Sequence, residues 1–153
     1  MHIRRYEDDR EALRPLFRLA DDSEQAIDGY LREGEILTAV EQGEVVGHLQ
    51  LVPGGEEGAV ELKSMAVIES RRGAGVGRAL VEAAVRRCRE RGARRLLVST
   101  AAASVGDLRF YQRVGFRMLS IERDAFVPET GYPTEIVIDG VILRDRVWLD
   151  RVL

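Results

Sequence analysis

The chain has a single cysteine, Cys88, and two histidines, His2 and His48, among its 153 residues. One cysteine rules out an internal disulfide and any cysteine-rich metal site, and two scattered histidines beside it do not make a metal centre. Cys88 falls on the apolar face of an expected helix, with no base or electropositive pocket to activate it, and reads as a buried structural thiol. Apolar runs of membrane-spanning length are also missing. Met1-His-Ile-Arg-Arg5 leads straight into acidic residues without the apolar core of a signal peptide, so a cytoplasmic protein that does not engage a membrane is expected. Basic residues are not in excess: 23 lysines and arginines against 26 acidic groups leave a net charge of −3, which argues against general nucleic-acid binding. No repeat or linker interrupts the chain, and residues 1–153 read as one domain. Its 45% hydrophobic and 32% charged composition is that of a globular protein able to bury one core.

The pattern along the chain mixes strands and helices. Ile3–Tyr6 is a short strand, and Asp8 or Asp9 can cap a helix reaching Ala20 that Pro15 either kinks or delays. Asp22 is expected to cap a second helix, with Gln25 at the capping-box position and Gly34 beyond its end. Glu35–Val40, Val45–Val52 and Ala59–Val67 form an antiparallel series with a β-bulge expected near Ser64-Met65-Ala66. Val76–Arg91 has helical apolar spacing, an i,i+4 pair of Glu82 and Arg86, and Gly92 as its stop. Arg95–Thr100 follows as a parallel crossover strand. A helix over Val105–Val114 and strands at Phe116–Ile121, Thr134–Ile138 and Val141–Leu149 complete the chain.

The most informative stretch joins the third strand to the long helix: Arg71-Arg72-Gly73-Ala74-Gly75-Val76-Gly77-Arg78. The first amides of a helix lack intrahelical partners and sit at the positive end of its dipole, so they bind anions. Glycines allow close approach, and Arg71, Arg72 and Arg78 add positive charge, which suits a pyrophosphate. Neither nucleotide signature fits, because the third glycine of Gly-x-Gly-x-x-Gly is replaced by Arg78 and no Gly-Lys-Ser/Thr is present.

Arg72-x-x-Gly75-x-Gly77 resembles the acyl-CoA signature of the GNAT superfamily of N-acetyltransferases. Phe110-Tyr111-Gln-Arg-Val-Gly115-Phe116 is similar to that family's tyrosine at a helix end before Gly-Phe. Glu61-Leu-Lys-Ser-Met-Ala-Val67 is similar to the strand that carries a general-base glutamate in some members, and the tail resembles a subgroup of small bacterial GNAT proteins. The resemblance implies an α/β fold with a mostly antiparallel, splayed central sheet flanked by helices. It also implies transfer of an acetyl group from acetyl-CoA to an acceptor amine, small or on a protein, with a homodimer as a further partner to consider.

Residue roles follow from the same resemblance. Backbone groups from Arg72 to Gly77, with Arg78, would hold the pyrophosphate, and Met65, Ala66 and Val67 the pantetheine. Ser104 stands where the family often has an asparagine that touches the CoA arm. Glu61 takes the general-base position, with His48 or a relaying water as alternatives and an ion pair with Lys63 or an arginine as its structural role. Tyr111 would protonate the departing thiolate or hydrogen-bond to it, or else serve as a core aromatic. Tyr30, Tyr132 and Asp145, with Glu61, are expected to frame the acceptor, a cation meeting their carboxylates and aromatic faces. Asp145 has a structural alternative in pairing with Arg144 or Arg146. A catalytically silent acyl-CoA sensor is the second functional class.

Overall fold

Asp9 begins the first helical segment in the computed structural model, which describes residues 1–153. Strand β1 (His2–Arg5) leads to Asp9, whose carboxylate accepts the Glu11 N–H at 3.0 Å and opens a 3-10 turn over Arg10–Leu13. Helix α1 (Arg14–Ala20) then starts with Pro15 in its first turn, where a missing N–H costs nothing, so the proline delays the helix rather than kinking it. Helix α2 (Glu24–Tyr30) is capped by Ser23, not by Asp22: Ser23 Oγ accepts the Ala26 N–H at 3.0 Å. With Ser23 as cap, Gln25 loses its capping-box role. Ser23 is held there because its hydroxyl also donates to Gly131 O at 2.8 Å.

Runs buried on both faces make β2 (Glu35–Glu41) and β3 (Glu44–Pro53), with β4 (Ala59–Val67), an antiparallel meander beside β1. Helix α3 (Val76–Glu90) crosses to β5 (Arg95–Ala101), which runs parallel to β4. Helix α4 (Val105–Arg113) and edge strand β6 (Arg117–Glu122) follow. The expected strand over Val141–Leu149 is two elements. β8 (Val141–Ile142) closes a small hairpin with β7 (Val137–Ile138), and β9 (Arg146–Val152) enters the main sheet between β5 and β6. Asp145 makes the break: its carboxylate accepts the Asp124 N–H at 2.9 Å and its carbonyl accepts the Ala102 N–H at 2.8 Å. The seven-stranded sheet has the order β1-β2-β3-β4-β5-β9-β6, mixed and mostly antiparallel.

Helix α3 buries Leu80, Val81, Ala84, Val85 and Cys88 against Leu37, Leu49, Leu51, Leu62, Leu96 and Val98 on one face of the sheet. Helices α1 and α2 cover the other with Phe17, Ile27, Tyr30 and Leu31. The C-terminal half of α3 is tied across β2 by Glu35, a buried carboxylate paired with Arg87 and Arg91. Burial alone would raise the Glu35 pKa, but the Arg87 hydrogen bond and the charges of Arg91 and Arg87 outweigh it and hold the carboxyl below its usual range. The expected Glu82–Arg86 pair is not formed; Glu82 faces Arg151 on β9 at 3.4 Å.

His48 is not half-buried, as a strand position suggests, but fully enclosed on β3. Its ring stacks on Phe17 with centroids 4.3 Å apart, Nε2 meets Ser64 Oγ at 2.9 Å, and Nδ1 has no partner. Burial pulls its pKa down to about 3. The unfolded chain therefore takes up a proton near pH ~6.5 that the folded chain refuses, and stability falls as pH drops below that value by up to about 1.4 kcal/mol per pH unit. Urea unfolding of wild type and His48→Gln at about pH 7.5 and about pH 5 should show the smaller acid loss in the variant. Equal losses would mean that His48 does not stay neutral.

Candidate active site

Strand β4 pairs with β3 to its end but with β5 only from Ala59–Leu62 against Arg95–Val98. Past Leu62 and Val98 the two strands part. Gln50 faces Ser64 while Leu51 faces Leu62, so Lys63 is the extra residue of a β-bulge, just before the expected Ser64-Met65-Ala66 position. A bulge here lets β4 turn away from β5 without losing its ladder to β3. The parted strands open a cleft of about 940 Å³, of the size that holds a cofactor.

The anion-binding turn stands at the cleft mouth. Gly75 has φ +85°, a conformation that side chains disfavour, and a Cβ built on it meets nothing within 4 Å, leaving room for a ligand. The amides from Gly73 to Arg78 donate to no backbone carbonyl, and the first helical bond runs from Ala79 N to Gly75 O at 3.0 Å. Gly77 lies so close to α4 that a Cβ would sit 3.1 Å from the Phe110 ring. These features could hold an anion such as a pyrophosphate. Met65, Ala66, Val67, Arg72, Gly73, Gly75, Val76, Gly77, Arg78 and Ser104 all line the cleft; Ala74 does not, standing exposed at the outer corner of the turn. Arg72 Nε donates to Val67 O at 3.2 Å. Ser104 begins α4, but its hydroxyl does not cap the helix.

Tyr111 lines the inner wall, edge-on to Phe110 and Phe116 with centroids 5.3 and 5.6 Å away. Burial, then the charge of Asp107, pushes its phenol well above the usual value. Asp107 also lines the cleft and accepts a 3.4 Å hydrogen bond from Thr100. The signal for it was present, since residues 107 and 111 share a helix face at i,i+4 spacing. Glu61 lies next to the cleft-lining Leu62 and Lys63, with its side chain only 16% exposed and Lys63 Nζ 3.9 Å from its Oε2. Burial raises its pKa, and Lys63 and Arg146 offset this only in part.

The residues expected at the acceptor divide. Tyr30 and Tyr132 meet on one carboxylate, donating to Asp21 Oδ2 and Oδ1 at 2.8 and 2.9 Å. Asp145 does not join them and pairs with neither Arg144 nor Arg146; it is the corner residue before β9. The aromatic faces are not free for a cation either. Lys63 Nζ stands 5.0 Å from the centre of the Tyr30 ring, and the Arg146 guanidinium 4.8 Å from that of Phe126, which packs edge-on against Tyr132. Buried in the core, His48 is absent from the cleft lining. A smaller apolar groove of about 440 Å³ outside α1 contains Tyr6, whose hydroxyl is held by Asp9 O, and no group suited to acyl transfer.

A splayed strand pair ending in a turn of free amides, with a buried tyrosine inside, is the arrangement that the resemblance implies for an acyl-CoA-dependent transferase. Residues 4–116 match the model of the Acetyltransferase (GNAT) family, and the chain belongs to that family. It is 34% identical over 146 residues to the uncharacterized N-acetyltransferase YvbK of Bacillus subtilis, covering 94% of this chain and 92% of the relative. An IAA acetyltransferase from Bacillus cereus superposes with a TM-score of 0.89 at 34% identity over 99% of both chains. A GNAT family acetyltransferase from Elizabethkingia anophelis with acetyl-CoA bound gives 0.90 at 30% identity, covering 99% of this chain and 97% of that one. The protein is an acetyl-CoA-dependent N-acetyltransferase. None of its helices is long and apolar enough to cross a membrane.

The shared Asp21 carboxylate ties the loop carrying Tyr132 to the α1–α2 corner. Tyr132→Phe should lower unfolding stability by about 1–2 kcal/mol through loss of a charge-assisted hydrogen bond, with CoA affinity unchanged. Urea unfolding and calorimetry check both halves.

Proposed function

We propose that this enzyme acetylates a primary amine, on a small molecule or a protein, by direct attack of the amine on the thioester. One observation carries this: a single cleft runs from the free amides at the α3 N-terminus, along the open edge of β4, to Tyr111, with Glu61 beside its inner end. Acetyl-CoA supplies the activated acetyl thioester. The amides of Gly73 to Gly77, aided by Arg72 and Arg78, hold the pyrophosphate, and the edge of Met65 to Val67 offers backbone groups to the pantetheine amides and to the developing oxyanion.

An alkylamine of pKa ~10.4 costs roughly 4–5 kcal/mol to deprotonate at neutral pH. Glu61 takes that proton, and burial makes it a better base than an exposed carboxylate. Tyr111 hydrogen-bonds to the leaving sulfur; its raised pKa favours donation of a hydrogen bond over full loss of the proton. Tyr30 and Tyr132 form the acceptor-side wall, while Asp145 is withdrawn from that role. Such an enzyme would work in the cytoplasm as a single domain. A homodimer would form through edge strand β6, where Met118, Leu119 and Ile121 are exposed.

Two measurements test this. Gly75→Ala should weaken CoA binding at least tenfold by calorimetry, since its methyl group meets the ligand and no protein atom. Unchanged affinity would remove the pyrophosphate from this turn. Glu61→Gln should lower kcat/KM by roughly a hundredfold or more and abolish the acidic limb of the pH profile, which lies above the usual carboxylate range. Its stability should move the other way. Because the folded pKa of Glu61 is raised, the folded state holds a proton that the unfolded chain has lost, and stability falls as pH rises through that window. At neutral pH the glutamine variant should therefore melt higher. Failure of every amine in a broad panel to release free thiol would overturn the proposed reaction.

A further inference from the structure

Lys63 is the only lysine of the chain; every other one of its 23 basic residues is an arginine. It is also the bulged residue of β4, placed where pairing with β5 ends and where the cleft begins. Its side chain is 33% exposed, and Nζ lies 3.9 Å from Glu61 Oε2 and over the Tyr30 ring. Pairing with β5 ends at Leu62, so Lys63 is the first residue of the open edge, and its four methylenes give Nζ reach along that edge over about two strand residues, roughly 6.6 Å. An alkylammonium beside a proton-accepting carboxylate at the inner end of an acetyl-CoA cleft has what an acceptor amine needs.

We propose that Lys63 is itself an acceptor, and that the enzyme acetylates this side chain in cis. The step rests on the N-acetyltransferase reaction above. Glu61 takes one proton from the ammonium, neutral Nζ forms a bond to the thioester carbonyl carbon, and the C–S bond breaks. The second nitrogen proton ends on the departing sulfur, giving an N-acetyl-lysine and free CoA thiol. Acetylation removes the charge over Tyr30 and the ion-pair partner of Glu61. Lys63 is the first of the charges that lower the Glu61 pKa, so the modified enzyme holds its base proton more tightly. The chain's α-amine is no rival, since Met1 lies beyond edge strand β1, three strands from β4.

Incubating the full chain with acetyl-CoA and no other amine, followed by intact-mass measurement and peptide mapping, tests this. One acetyl group per chain should appear on Lys63. The first-order rate should not depend on protein concentration, should fall at least tenfold in Glu61→Gln and should be lost in the unfolded chain. The acidic limb of activity should move to higher pH after modification, whereas Lys63→Arg should take no acetyl group and show no shift. An unmodified Lys63 in a preparation that acetylates an added amine would overturn self-transfer alone and leave the N-acetyltransferase reaction standing. An unmodified Lys63 with no amine acetylated would overturn both. Modification equally fast in unfolded protein, or faster at higher protein concentration, would reduce it to ordinary chemical or intermolecular acetylation and overturn the proposal.

Discussion

Strand β4 has two neighbours and cannot satisfy both along its whole length. It keeps its antiparallel ladder to β3 and gives up β5 after four residue pairs. Beyond that point its edge carries backbone N–H and C=O groups with no strand to meet them, and such groups need partners if water is excluded. A ligand chain bearing amides, such as the proposed pantetheine, would supply those partners. The cleft is thus an unfinished sheet, and the Lys63 bulge sets where it is left unfinished.

The anion-binding turn works only if α3 is held with its N-terminus toward this opening. The apolar face of the helix fixes its position on the sheet, and Glu35 anchors its other end through Arg87 and Arg91. Arginines in the last turns also sit favourably at the negative end of the helix dipole. The same helix therefore directs positive potential at the cleft and carries its balancing cations at the far end. Gly77 completes the arrangement by letting α4, and with it Tyr111, approach closely.

Features set by local chemistry were legible in the sequence. The bounds of β4, the amphipathic α3, the glycine turn and the Phe110-Tyr111 helix end all follow from side-chain spacing and residue type over a few positions. Features set by distant contacts were not. Ser23 rather than Asp22 caps α2 because Gly131 reaches back to its hydroxyl, and β8 and β9 separate because Asp145 serves a loop after β6. The bulge was legible to within one residue, expected near Ser64-Met65-Ala66 and found at Lys63. Tyr30 and Tyr132 were expected near the acceptor from their segments, but their joint hold on Asp21 spans most of the chain. The cations that take the aromatic faces come from β4 and β9, which no local pattern joins to those rings.

The cofactor cleft is assembled mainly from residues 59–116, whereas the wall around Asp21 joins the α1–α2 corner to the loop carrying Tyr132 and the start of β9. The family match ends at residue 116, before that loop. Cleft and wall are not separate lengths of polypeptide, since Leu19, Ala20 and Asp22 from the α1–α2 corner and Ile136, Val137 and Ile138 from the later loop also line the cofactor cleft. Divergence in residues 123–145 would then be felt at both ends of the site, and a graft of that loop between relatives would reshape the cofactor cleft through Ile136, Val137 and Ile138 as well as the wall around Asp21.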